Sequence, residues 1–245
     1  MALYLGTSGW SYKDWGKRFY PLGLPAKAQL IYLARHFDSV EVNASFYKLP
    51  LAKTFLNWHD VTPDNFRFAV KASRMITHLK RLSDVEDSWE LFLERAGNLR
   101  DKLGVILLQF PPSFKRTPET LERLETFFSY ALTPGRRLAL ELRHATWFEP
   151  EALEFFSRHQ ACIVQAESSR YPHTPPEFAP ADFTYYRFHG PGRLYASQYS
   201  NEDLLYWAKL IRADQKAGKD VYAYFDNDVN GYALEDARRL RDYLV

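Results

Sequence analysis

Cysteine is nearly absent from this 245-residue chain: Cys162 stands alone. That excludes an internal disulfide and any zinc site built on several thiolates. No run of 18 apolar residues occurs, so no segment has the length and character of a membrane-spanning helix. Met1 to Trp10 lacks the basic stretch and apolar core of a secretory signal. These absences lead us to expect a soluble, cytoplasmic protein with no membrane partner. Net charge is only +2, short of the clustered basic face that marks nucleic-acid binding. A glycine-rich phosphate loop of either standard spacing is also missing after the first apolar run, which weighs against an open dinucleotide-binding sheet.

What is present is regular. Eight short runs rich in β-branched and aromatic residues recur: Leu3–Gly9, Ser39–Phe46, Arg67–Ser73, Gly104–Phe110, Arg137–His144, Ala161–Ser168, Phe183–Gly190 and Asp220–Asn227. Segments with helical periodicity separate most of them. Asp87–Lys102 carries Trp89, Phe92, Leu93, Ala96 and Leu99 on one stripe, and Thr117 with Pro118 starts another helix as cap and first residue. Alternating buried strands and helices imply a parallel sheet covered by helices. Eight such units in a length near the roughly 250 residues of a typical (β/α)8 barrel predict one α/β TIM barrel spanning residues 1–245. The sixth connection is proline-rich and is expected to be irregular.

Side-chain alternation along strands locates the chemistry. In Ser39–Phe46 the valines share one face, so Glu41 and Asn43 share the other; in Arg137–His144, Leu138, Leu140 and Leu142 oppose Ala139, Glu141 and Arg143. Apolar faces should meet the helices, which turns Glu41, Asn43, Lys71, Gln109, Glu141, Arg143, Gln165, Glu167, Arg187 and His189 into the barrel. Ala69, Leu107, Ala139 and Ile163 are the earlier inward positions, and Asp226 and Asn227 end the eighth strand. The polar set therefore gathers at the C-terminal strand ends, where barrel enzymes carry their active sites. A closed ion-pair network filling the barrel is the competing explanation for each charged residue taken singly.

The loops after the strands supply Trp10, Tyr12, Trp15, Tyr47 and Trp147, which either stack a sugar ring or base or simply pack as lids. Eleven basic residues in these loops, among them Lys17, face seven acidic ones, among them Glu177 and Asp228, a mild bias toward an anionic ligand. His78 and His189 could act as base or metal ligand; His144 reads as structural. Glu41, Glu141, His189 and Asp226 have the ligand types for a hard divalent cation, although their spacing gives that cofactor no support. The same carboxylates could form an acid–base pair. No Ser-His-Asp or nucleophile-elbow pattern is apparent.

Several segments together resemble the domain of unknown function 72 family, the YecE-like proteins. They include Gly6-Thr7-Ser8-Gly9-Trp10, Val40-Glu41-Val42-Asn43, Phe46-Tyr47, Ile76-Thr77-His78, Gln109-Phe110-Pro111-Pro112, Glu141-Leu142-Arg143-His144 and Tyr224-Phe225-Asp226-Asn227-Asp228. Asp226 stands where the family more often has Asn, and Ala44-Ser45 where a Thr usually precedes the Phe-Tyr pair. The resemblance implies a (β/α) barrel and no established activity.

Three functions follow as expectations. The first is an enzyme performing hydrolysis or acid–base chemistry on a phosphorylated or sugar-containing small molecule. Glu41, Glu141, His189 and Asp226 would do the chemistry; Lys71, Arg143 and Arg187 would hold the anion. Asn43, Gln109, Gln165, Asn227, His78 and the loop aromatics would orient the ligand. The second is a nucleic-acid binder or metal-dependent nuclease using the basic aromatic loops. The third is a non-catalytic ligand-binding module.

Overall fold

The computed structural model describes residues 1–176 and 178–244, with the side chain of Lys17 also left aside, so Lys17 and Glu177 of the loop charge count lie outside the described residues. Nine parallel strand segments form one sheet: β1 Leu3–Ser8, β2 Ser39–Val42, β3 Arg67–Lys71, β4 Leu103–Gln109, β5 Leu138–Glu141, β6 Cys162–Ile163, β7 Gln165–Glu167, β8 Phe183–Phe188 and β9 Asp220–Phe225. Their order is β6-β5-β4-β3-β2-β1-β9-β8-β7. Only Val164 separates β6 from β7, so the two are halves of one sixth strand. The ring therefore closes, with Val164 N still donating to Leu140 O at 2.9 Å.

Helices α1 (Ala26–Leu33), α2 (Ala44–Tyr47), α3 (Ala52–Asp60), α4 (Glu86–Ala96), α5 (Pro118–Ala131), α6 (Pro150–Arg158), α7 (Asn201–Lys216) and α8 (Tyr232–Leu244) wrap the outside. At α5, Thr117 caps the helix as its composition indicates, in a reciprocal capping box with Thr120 and with Pro118 in the first turn. Among the described residues no helix lies between β7 and β8; that connection is irregular, as its prolines predict. No described helix is long and apolar enough to cross a membrane.

Element boundaries and one strand parity differ from the sequence reading. The second strand ends at Val42 because Asn43 turns to helical backbone, φ −89° and ψ −21°. Ser45 then donates to the carbonyls of Val42 and Lys71, which fixes α2 over the end of β3. The helix expected over Asp87–Lys102 stops at Ala96 and continues as a 3-10 segment, Gly97–Lys102, that contains Arg100 at φ +52°. The sixth strand also has the opposite parity: Cys162, Val164 and Ala166 fill the barrel interior with Ala69, Leu107, Ala139, Tyr185 and Tyr224. Ile163 instead joins the core between sheet and helices.

Gly6 marks a point of close approach. A Cβ there would stand 2.0 Å from the Ser39 carbonyl oxygen, across the β1–β2 pairing. Gly6→Ala is expected to cost about 3 kcal/mol, as overpacking against rigid backbone does. A urea midpoint unchanged from the parent would show that these strands can separate freely.

Candidate functional site

Side chains at the C-terminal ends of β1, β2, β5 and β8, with Asp226 just past β9, form a layer that floors the mouth. Arg187 from β8 lies at its centre, 1% exposed. Its Nε and Nη2 donate to Glu41 Oε2 and Oε1 at 2.9 and 2.7 Å, its Nη1 to Glu141 Oε2, and its Nη2 reaches Asp226 Oδ2 at 3.2 Å. Ser8 Oγ and Tyr185 OH complete the shell around Glu41, the tyrosine at 2.6 Å. Arg143 grips Glu141 Oε1 through Nε at 2.6 Å. A buried guanidinium is tolerable only with such partners.

The protonation states follow. Burial alone would raise the Glu141 carboxyl, but Arg143, Arg187 and His189 outweigh it and hold it well below the usual range. Burial works the same way on Asp226 and is likewise overcome by Arg187 and His189. His189 is enclosed by carboxylates: Nδ1 lies 3.0 Å from Asp226 Oδ2 and Nε2 3.4 Å from Glu141 Oε1, the second without hydrogen-bond geometry. Burial would discharge the ring, yet Glu141 and Asp226 raise its pKa above the ordinary histidine value.

Above this floor opens a cavity of about 400 Å³, lined by Tyr12, Asn43, Tyr47, Lys71, Gln109, Tyr195, Asp226, Asp228 and Val229. Asn43 Nδ2 donates to Ser8 Oγ at 2.6 Å, and the Tyr12 hydroxyl donates to Ser8 O. Tyr195 sits in left-handed backbone, φ +64°, its N–H on His189 O and its carbonyl receiving the N–H of Val229, so the loops after β8 and β9 brace each other. Among the described residues Asp226 bonds to side chains through Oδ2 alone, leaving Oδ1 free. Asp228 is pushed up to about 6, first by burial and then by the charge of Asp226. His78 sits on a π-helical turn, Met75–Leu79, with its ring edge-on to Phe46. Burial, reinforced by Lys71 and Arg143, lowers it to about 4 and keeps it neutral.

The structure thus brings Glu41, Asn43, Lys71, Gln109, Glu141, Arg143, Arg187, His189 and Asp226 together, with Tyr12 and Tyr47 at the opening. Glu41 and Glu141, however, lie beneath the cavity and do not line it, and each of their carboxylate oxygens already accepts from a protein donor. Six of the residues expected at the mouth are not brought to the site. Trp15 is fully buried, its Nε1 on Asp228 O, and Trp147 is stacked on Phe114 with its Nε1 on Phe114 O. Gln165 turns out of the barrel to Phe178 O and Pro175 O; Glu167, of the same parity, binds the Tyr199 hydroxyl. Asn227 is buried against Asp236 and Ser197 O under α8. Trp10 packs edge-on against Trp58 instead of lining the cavity. Among the described residues, no three His, Cys, Asp or Glu side chains are grouped to hold a metal ion. Tyr195, Asp228 and Val229 are the cavity residues not singled out above as site residues; for Asp228, its position two residues beyond Asp226 was the available signal.

Fold and site together define a (β/α)8 barrel protein whose mouth holds a small polar cavity on a buried ion-pair floor. The family model described as "Protein of unknown function DUF72" matches residues 4–245, and the chain belongs to that family. It is 26% identical to the UPF0759 protein YunF of Bacillus subtilis (strain 168), over 99% of this chain and 94% of that protein. A crystal structure of a DUF72 family protein from Thermotoga maritima MSB8 superposes with a TM-score of 0.89 at 30% identity, covering 100% of this chain and 99% of the other. A D-psicose 3-epimerase crystallised with D-fructose covers 100% of this chain and 97% of its own at TM-score 0.58 and 12% identity, a likeness of fold alone.

Proposed function

We propose that the protein is an enzyme performing hydrolysis or acid–base chemistry on a small phosphorylated or sugar-containing molecule bound in the cavity at the strand ends. One observation carries this reading: two carboxylates share the cavity wall in environments that separate their protonation. Asp226 is held ionised by Arg187 and His189, while Asp228 is raised to about 6. Carboxylate pairs tuned apart in this way divide the roles of base and acid. Asp226 acts as base through its free oxygen and Asp228 as acid. Lys71 gives the cavity positive potential, and Asn43, Gln109, Tyr12 and Tyr195 present hydrogen-bonding groups for orientation. Glu41, Glu141 and Arg187 act as scaffold, and His189 positions Asp226.

The pH dependence carries a definite sign. Asp228 serves as acid only when protonated, so kcat/KM on a sugar phosphate or glycoside found by panel screening should fall as pH rises through about 6. On the acid side it falls as Asp226 gains its proton, below the usual carboxylate range. Asp228→Asn should remove the alkaline limb; its survival in that variant would defeat the assignment. Saturable binding of the same compounds without turnover would make the protein a binding module. The nucleic-acid reading is the less favoured, because Trp15 and Trp147 are buried and offer no stacking platform. It would require salt-steep binding of single-stranded oligonucleotides.

A further inference from the structure

Lys71 is the one lysine among the cavity-lining residues, and its surroundings are unusual for an ammonium. Its Nζ donates to Gln109 Oε1 at 2.8 Å. Two guanidiniums crowd the same oxygen: Arg143 Nη2 at 3.1 Å and Arg187 Nη1 at 3.4 Å. Three cationic groups thus share one neutral acceptor. Both arginines also have carboxylate partners, whereas Lys71 is in ion-pair contact with no carboxylate among the described residues. Its other neighbour is the Phe46 ring, 4.2 Å from Nζ to centroid. A desolvated lysine beside a cation sheds its proton readily and becomes a nucleophile.

We propose that Lys71 is a covalent catalyst that forms a Schiff base with an aldehyde or ketone ligand, which narrows the substrate class of the cavity to carbonyl compounds, most simply phosphorylated ones. This rests on the cavity being the ligand site, as above. The neutral Nζ attacks the carbonyl carbon; a C–N bond forms and the carbonyl π pair moves to oxygen. One proton passes from nitrogen to that oxygen, giving a carbinolamine. Asp228, in its acid form, protonates the hydroxyl; the C–O bond breaks, water leaves and a protonated imine remains on Lys71. The resulting cation takes the place of the ammonium beside Gln109, and Asp226, which lines the same cavity, removes a proton from the carbon next to the imine. Burial, with Arg187 adding to it, lowers the Lys71 amine to about 8. The neutral amine and protonated Asp228 therefore coexist best between about 6 and 8. For a carbonyl substrate turned over through the imine the alkaline limb thus lies at about 8, where a reaction that needs only the Asp228 acid falls at about 6.

The experiment is reductive trapping on the full chain. Dihydroxyacetone phosphate, glyoxylate or glucose 6-phosphate is added with sodium borohydride, and the adduct is located by peptide mass mapping. At pH 7 the neutral fraction of an amine at 8 exceeds that of an ordinary lysine on the order of a hundredfold. Lys71 should accordingly be modified far ahead of exposed Lys53 with at least one of these compounds. Asp226→Asn, if it abolishes turnover, should leave trapping intact, so the two readings fail separately. Adducts spread over exposed lysines with Lys71 unmodified, for all three compounds, would overturn the proposal. The site is read in the parent protein, so no substitution at Lys71 has to fold.

Discussion

Arg187→Met is expected to destabilise the protein by about 3–5 kcal/mol, the cost of stranding buried charges when their common partner is removed. Glu41 and Glu141, both about 1% exposed or less, lose their shared guanidinium. Arg143 remains on Glu141, but no second cation reaches Glu41 among the described residues. Urea unfolding at two pH values gives a sharper test than the loss alone. In the parent, Glu141 has a lowered folded pKa, so its contribution is present above the unfolded value and is lost as pH falls. In the variant, the part of that contribution supplied by Arg187 is gone. The penalty is then complete at neutral pH and shrinks on acidification. A variant as stable as the parent at pH 7, or one that weakens in parallel with it toward pH 5, would show that Arg187 does not neutralise these carboxylates.

Asp226→Asn is expected to lower kcat by a hundredfold or more on any substrate the panel yields, the scale of losing a positioned general base. Asn keeps the shape and one acceptor oxygen for Arg187 and His189, so the circular dichroism spectrum should match the parent and KM should change far less than kcat. A kcat within tenfold of the parent would remove Asp226 from the chemistry. Glu141→Gln makes an informative contrast. Glu141 touches no cavity wall, so that change should act on stability more than on turnover. Its effects and those of Arg187→Met should be non-additive, because the two share one network.

The barrel and most of its inward layer were legible in the sequence because strand alternation has a simple cause. Wherever a helix covers the outer face, that face must be apolar, and the polar positions of β2, β3, β4, β5 and β8 can only point in. The rule failed on the sixth strand for the same reason. No helix follows it among the described residues, and beyond Ile163 its outer face meets the connection to β8, where Pro175 O and Phe178 O take hydrogen bonds from Gln165 and Thr174 bonds back to Val164 O. Polar residues there signal a polar cover. Loop aromatics were not sorted by any comparable period: Trp15 and Trp147 turn into the core while Tyr47 stays 74% exposed. Nor did spacing separate a saturated carboxylate from a free one. Glu41 and Asp226 have the same chemistry on paper, and only the positions of Ser8, Tyr185 and Arg187 show which still has an oxygen to offer.

The divided sixth strand has a mechanical consequence. It is held by two register pairs to β5 and three to β8, whereas β8 and β9 share six. This is the seam at which the ring would first part under thermal agitation, leaving an open sheet. Glu141 ends β5 on one side of it and Arg187 belongs to β8 on the other. Their ion pair spans the gap above the weakest hydrogen-bonded arc and works as a clasp: the charges that floor the cavity also keep the hoop shut.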